Sequence, residues 1–249
     1  LVLEGEYEED FPSWSKKSTA GTFSKTLTEF GVPDDVLQNT TDRVVLESPN
    51  NSFEMDKSGA VMEFGDYKRW MAEDAQDKGA KYRFGAWVNG PVTDEDGNIT
   101  AVRYNGDETV SGDIIIDATG PNAPLAEELD VSDLPREQEA IGVEYEMTGV
   151  DMERDGFVSL EDSMMLRLGH DWAPGGYSWI FHTGDDTAKV GVCYLQNQAH
   201  EDYSDSELDG IEDYMNRMLA EDPRLEDAEK IEAGTSFSRA DRNSGIALS

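Results

Sequence analysis

The chain reads as a mixed α/β protein of the α+β kind, with parallel-type elements first and an antiparallel sheet after them. Three observations carry that reading. The apolar run Leu1-Val2-Leu3 stops at Glu4, as a strand of a parallel sheet does at its carboxyl end. Residues 66–78 then place Tyr67, Trp70, Met71 and Ala75 at helical spacing, with Gly79 as a left-handed stop. From about Ala140 the texture changes to long alternating runs, the pattern of antiparallel strands with one face in a core. Parallel-type elements followed by an antiparallel block predict two domains.

In chain order, Leu1-Val2-Leu3 is shorter than the five or six residues of an ordinary strand, which predicts a fragment lacking its preceding strand, Gly-rich turn and helix. Residues 5–42 are rich in loop signals, with local helix at Thr26–Phe30 and Asp34–Gln38. Val44–Leu46 and Ala60–Phe64 read as strands, and the helix of residues 66–78 follows. Tyr82–Val88 and Ile99–Tyr104 alternate as strands, joined through Asp94-Glu95-Asp96-Gly97-Asn98. That turn has the composition of a calcium loop, but its glycine is misplaced and no bidentate Glu follows, so it reads as a hairpin. Asn105-Gly106 predicts a second hairpin. Asp113–Asp117 reads as a buried strand ending in a Gly-Pro break, and Leu125–Leu129 as a short helix.

The antiparallel block comprises Ile141–Met147, Met164–Leu168, Gly176–His182 and Ala188–Leu195. Ile211, Tyr214, Met215, Met218 and Leu219 mark an amphipathic helix starting near Ser204, and Ile231–Phe237 reads as a last strand. The expected division is 1–138, 139–230 and a return segment, 231–249.

Charge narrows the function. Against 20 Lys and Arg stand 54 Asp and Glu, a formal charge of -34, which excludes nucleic acid as a partner because phosphate neutralisation needs cations. The acids are spread along the chain, and five Trp, nine Tyr and nine Phe argue for a packed core rather than disorder. Such a surface suits a high-salt interior, where repulsion is screened over about 3 Å at molar ionic strength. Dilution out of molar salt is therefore expected to lower the melting temperature, measurable by circular dichroism. The single cysteine, Cys193, lies in the apolar run Val190–Leu195 and reads as a core thiol. With no apolar run of membrane length and no signal-peptide pattern, the expected address is cytoplasmic.

Candidate site residues are few. Glu4 has the position at which an acid accepts hydrogen bonds from ribose hydroxyls in dinucleotide-binding units, although it is also one acid among 54. Gly120, after Asp117 and Thr119, allows close backbone approach at a strand end. His170, His182 and His200 show no metal-ligand spacing, and pairs such as Glu144 and Glu146 are too common here to read as acid–base machinery. The sharpest motif is Pro174-Gly175-Gly176-Tyr177-Ser178-Trp179-Ile180-Phe181, whose period-two aromatics stack Tyr177, Trp179 and Phe181 on one strand face. That is either core or a flat apolar wall for an elongated hydrophobic molecule.

This motif resembles the signature of the geranylgeranyl reductase family of FAD-dependent oxidoreductases, haloarchaeal type. Leu1–Glu4, Asp66–Ala80, Ile114–Gly120 and Lys189–Val192 resemble other family segments in the same order, over roughly residues 1–236. The resemblance implies a partial FAD-binding Rossmann-like domain with an antiparallel substrate domain. It implies FAD contacts from Glu4, Val88, Asp117, Thr119 and Gly120, and a prenyl-chain wall from Pro174, Gly175, Gly176, Tyr177, Trp179 and Phe181. Phe64 stands near the place of a family Arg, and Ser18–Thr22 near that of a family Cys-Gly pair, so neither contact carries over. The implied reaction is reduction of C=C bonds in geranylgeranyl chains of archaeal ether lipids or prenyl quinones. The implied electron donor is reduced nicotinamide or ferredoxin, and the substrate calls for peripheral membrane contact. The rivals are a hydroxybenzoate-hydroxylase-type flavin monooxygenase and a non-catalytic acidic binding domain.

Overall fold

The computed structural model describes residues 1–13, 21–120, 123–129, 139–195 and 210–239. Contacts divide the chain into two compact units, Leu1–Trp14 with Lys68–Pro135, and Ser15–Tyr67 with Arg136–Ser249. The division thus falls at other residues than 138 and 230. Residues 37–62 form two strands of the large sheet of the second unit, and 229–239 pair within that same sheet.

In the first unit, β1 (Val2–Leu3) pairs in parallel with β5 (Tyr82–Arg83). The predicted strand Tyr82–Val88 breaks because Gly85 takes a left-handed φ of +63° and its N–H turns to the Glu6 carbonyl. A separate antiparallel meander follows: β6 (Val88–Thr93), β7 (Ile99–Tyr104) and β8 (Glu108–Ser111). Both predicted hairpin turns form. Asp94 Oδ1 accepts from the Asp96 and Asn98 N–H groups, and Asn105 and Gly106 adopt the positive φ values, 46° and 89°, of a tight turn. Ala86, Val102, Tyr104 and Leu125 are its buried residues, the last on α3 (Pro124–Glu128).

The expected strand Asp113–Asp117 does not form. Ile114 and Ile116 are 84% and 83% exposed, since no strand among the described residues pairs with them. An apolar run gains strand geometry only where a neighbour takes its backbone N–H and C=O groups.

The second unit is an eight-stranded sheet in the order β13-β9-β12-β11-β10-β3-β4-β2. The strands are β2 (Gly21–Phe23), β3 (Leu37–Ser48), β4 (Asn51–Met62), β9 (Glu139–Thr148), β10 (Ser163–Arg167), β11 (Tyr177–Gly184), β12 (Thr187–Leu195) and β13 (Glu229–Arg239). All neighbours are antiparallel except β3 and β10. Helix α1 (Ser24–Phe30) ends at Gly31 in left-handed geometry. Helix α2 (Phe64–Asp77), most of which belongs to the first unit, follows β4 close to its predicted span and buries Ala72. Helix α4 (Ile211–Glu221) carries the predicted apolar stripe; the predicted start at Ser204 lies outside the described residues. Ile211, Tyr214, Met215 and Met218 cover one face of the sheet, against Met165, Ile180, Val190 and Val192.

The sheet curls. Register shifts at Leu37/Asn39 and Thr41/Arg43 bend the β3–β4 ribbon, as bulges do. The bend brings β2 back over β11, although β10, β3 and β4 separate them in the sheet. A Cβ on Gly21 would stand 2.8 Å from the Phe181 ring, and one on Gly59 would stand 2.7 Å from Met164 Cε.

Candidate functional site

The face of the sheet opposite α4 carries the aromatic motif. Period two sets Tyr177, Trp179 and Phe181 side by side on β11, with ring centroids 5.7 and 6.5 Å apart. Register continues the wall sideways. Phe53, Leu46, Leu166, Trp179, Gly191 and Glu144 are successive partners across six strands, and Met55, Val44, Met164, Phe181, Lys189 and Glu146 form the next row. The two rows join Val44, Val61, Met164, Trp179 and Phe181 in one buried cluster, flanked by half-buried Leu46, Leu166, Tyr177 and Cys193.

The curl decides which of these a ligand could touch. Trp179 and Phe181 are only 5% and 8% exposed, Phe181 lying under β2. Tyr177, Leu166, Leu46 and Cys193 remain half-open. Burial drives the Tyr177 phenol and the Cys193 thiol upward from their ordinary values, so both stay neutral. The accessible wall is therefore apolar and uncharged.

The rest of the motif supports the wall. Pro174 is buried and its carbonyl accepts from the Leu195 N–H at 3.3 Å. Gly175 turns the chain at φ +67°. A side chain on Gly176 would run into the Cys193 backbone, so this glycine is needed for β11 to enter beside β12.

Glu144 was hidden among the acids of the sequence. Its residue is 9% exposed and its Oε2 accepts from Trp179 Nε1 at 3.0 Å. Burial pushes its carboxyl up to about 7; Lys189 and the Trp179 bond pull it back, and Glu146 and Glu63 push it further. The legible sign was Lys189, a lone cation in an apolar strand run, which requires a buried acceptor. It is 3% exposed, and its Nζ donates to the Met62 carbonyl at 3.3 Å.

The predicted cofactor residues all lie in the first unit. Glu4 ends β1 half-buried; its N–H donates to the Arg83 carbonyl at 3.0 Å, and its Oε1 accepts from the Glu6 N–H at 3.0 Å. Ala86 donates to the Glu4 carbonyl at 2.8 Å, which sets the segment leading to Val88 beside the end of β1. Asp117 serves the local fold. It accepts from the Thr119 hydroxyl at 2.6 Å and from the Leu125 and Ala126 N–H groups at 3.2 Å, at the start of α3. Burial raises its carboxyl, but those hydrogen bonds outweigh it and leave it below the usual range. Gly120 has φ +83° and open space where a Cβ would stand.

A second polar centre lies on the α4 side. Arg224 donates to Glu47 Oε2 at 2.9 Å and Oε1 at 3.1 Å, and to Asp222 Oδ1 at 2.9 Å and Oδ2 at 2.8 Å. Arg167 stands 3.5 Å from both carboxylates, with its guanidinium 4.0 Å over the Trp172 ring. Two cations balance two anions, which is a structural pairing.

Comparison with known proteins gives this geometry its relatives. Residues 139–237, holding the wall, match the family described as geranylgeranyl reductase catalytic domain; residues 12–138 match the one described as tryptophan halogenase. A digeranylgeranylglycerophospholipid reductase of Haloferax volcanii is 57% identical over 92% of this chain and 56% of its own length. A digeranylgeranylglycerophospholipid reductase of Methanopyrus kandleri is 28% identical over 77% and 48%. The chain thus spans about half the length of the curated relatives it matches. Among solved structures, a geranylgeranyl bacteriochlorophyll reductase-like protein of Thermoplasma acidophilum superposes with a TM-score of 0.75, at 18% identity over 95% of this chain and 59% of that one. A flavin-dependent brominase superposes at 0.69, with 15% identity over 94% and 60%. The structural likenesses establish the fold. The Haloferax identity and the family match across the aromatic wall place the chain in the geranylgeranyl reductase family.

Proposed function

We propose that this chain contributes the prenyl-binding wall and part of the flavin-binding frame of an enzyme that saturates C=C bonds in the geranylgeranyl chains of archaeal ether lipids. The observation that carries this reading is the in-register apolar row ending on Trp179, inside the stretch that matches the geranylgeranyl reductase catalytic domain.

Reduced flavin, FAD in this reading, supplies the hydride for one alkene carbon while a proton reaches the other. An isolated trisubstituted alkene has no carbonyl to activate it, so the chain's own residues contribute mainly by positioning. Tyr177, Leu166 and Leu46 offer a half-open apolar strip on which an isoprenoid lies flat. Covering that strip is favourable by roughly 25 cal/mol per Å² of apolar surface and expels water from the reacting bond. Phe181, packed under β2, and Trp179, seated on Gly191, back the strip.

The frame residues fit a nucleotide cofactor in part. Glu4, at the end of a parallel strand, would accept from ribose hydroxyls. The open backbone of Gly120 would admit a close approach, and the half-buried backbone at Val88 would border the adenine side. Asp117 shapes the turn that presents Gly120. Reduced nicotinamide or ferredoxin would supply electrons, and the lipid would be taken up at a membrane surface. No helix among the described residues is long and apolar enough to cross a membrane.

The tryptophan halogenase match of residues 12–138 favours one other reading, oxygen-dependent flavin chemistry. Mass spectrometry separates the two. The full-length protein, in molar salt with flavin and a reductant, is expected to add two hydrogens per double bond to digeranylgeranylglycerol phospholipid. Gain of an oxygen atom, or an unchanged lipid, would count against the reductase.

A further inference from the structure

Glu144 stands at the end of the wall and is joined to it through one atom. Because Gly191 has no side chain, the Trp179 indole lies across β12 and its N–H reaches Glu144 on the strand beyond. The charged and hydrogen-bonding groups that act on Glu144 are Glu146 on β9, Lys189 on β12, Trp179 on β11 and Glu63 after β4. Gln38 Nε2 bridges Glu63 Oε2 at 3.3 Å and Glu146 Oε1 at 3.2 Å. On β13 the register partner of Glu144 is Gly234, and that of Glu146 is Glu232. Three carboxylates thus meet one lysine in a buried place, and burial holds the Glu144 carboxyl up to about 7.

We propose that Glu144 is a positioning residue whose proton is coupled to occupation of the wall, so that an apolar chain and a proton bind together. The inference rests on the reading of the wall as the prenyl surface. The carboxyl accepts the indole N–H and holds Trp179 across Gly191. An apolar chain laid on the strip beside Trp179 thickens the apolar cover around this already buried carboxyl, which disfavours the anion and favours the protonated form. By linkage, protonation strengthens chain binding as much as the chain strengthens protonation. Affinity is then highest below pH 7 and falls as Glu144 ionises, at most about tenfold per pH unit for one proton.

The test uses the full-length protein in molar potassium chloride with geranylgeraniol as probe. Its dissociation constant is expected to rise about tenfold between pH 6 and 8.5 in the wild type. Glu144→Gln should bind at all pH values as the wild type does at pH 6. Isothermal titration of the wild type in two buffers of different ionisation enthalpy reads proton uptake directly, so the inference stays testable if the variant fails to fold. Without probe, indole emission should show a step near pH 7 that both Glu144→Gln and Trp179→Phe remove. Binding without proton uptake, or a pH dependence that survives Glu144→Gln, overturns the coupling alone. Absence of probe binding at every pH, with the emission step present, overturns the prenyl reading of the wall and the coupling with it.

Discussion

Gly191→Ala is expected to dislodge Trp179 and abolish chain binding at the wall. The new Cβ would stand inside the six-membered ring edge of the indole, well within van der Waals contact. A backbone strand in mid-sheet cannot retreat, since Gly191 is paired with Trp179 on one side and Glu144 on the other. The indole must therefore leave. Overpacking of this kind costs about 1–3 kcal/mol. Loss of the hydrogen bond leaves the buried Glu144 carboxyl without its donor, another 1–3 kcal/mol or so. Thermal melting in molar salt reads the stability loss, and geranylgeraniol binding reads the function. Trp179→Leu in the same chain removes the collision, so the double variant should be more stable than the two single losses predict. Strict additivity would show that Gly191 does not make room for the indole.

The second large effect lies at Arg224. Arg224→Met is expected to destabilise the eight-stranded unit by about 3–5 kcal/mol, because it strands Glu47 and Asp222 beside a single remaining guanidinium. Both Arg224 and Asp222 side chains are 1% exposed, so molar salt screens little of this loss. The pH limb gives an independent check. Burial raises the Asp222 carboxyl, but the bonds and charge of Arg224 outweigh it and hold it below the ordinary range. A depressed carboxyl adds stability above its unfolded value and loses it as acid protonates the folded form. Denaturation curves of the wild type should show that acid limb, and Arg224→Met should flatten it. An Arg224→Met protein as stable as the wild type at neutral pH would mean that solvent, not Arg224, satisfies the two acids.

Much of this site was legible in the residues, and the reasons for the remainder are physical. Alternation gave Tyr177, Trp179 and Phe181 their common face, and the apolar stripe placed α4. The sequence shows the hairpin of β3 and β4 only in part, as Val44–Leu46 and Ala60–Phe64. Residues 51–58 are exposed on both faces, and their one alternation, Phe53 and Met55, is too short to mark a strand. Ile114–Ile116 misled in the opposite direction, for an apolar run reports a wish for burial and no partner. Glu144 needed register. Only when β9, β12 and β11 are aligned does a glycine between a tryptophan and a glutamate become a passage for a hydrogen bond.

The curl also bears on how the chain is made. Arg43 pairs with Ser163 in the single parallel contact of the sheet, so the β3–β4 ribbon leaves the ribosome over a hundred residues ahead of β10. Until then it waits with a bare edge, which would invite pairing with a neighbouring copy. On that ribbon Asp42, Glu47, Glu54 and Asp56 outnumber Arg43 and Lys57, and a net negative charge of this kind opposes edge-to-edge pairing of two copies.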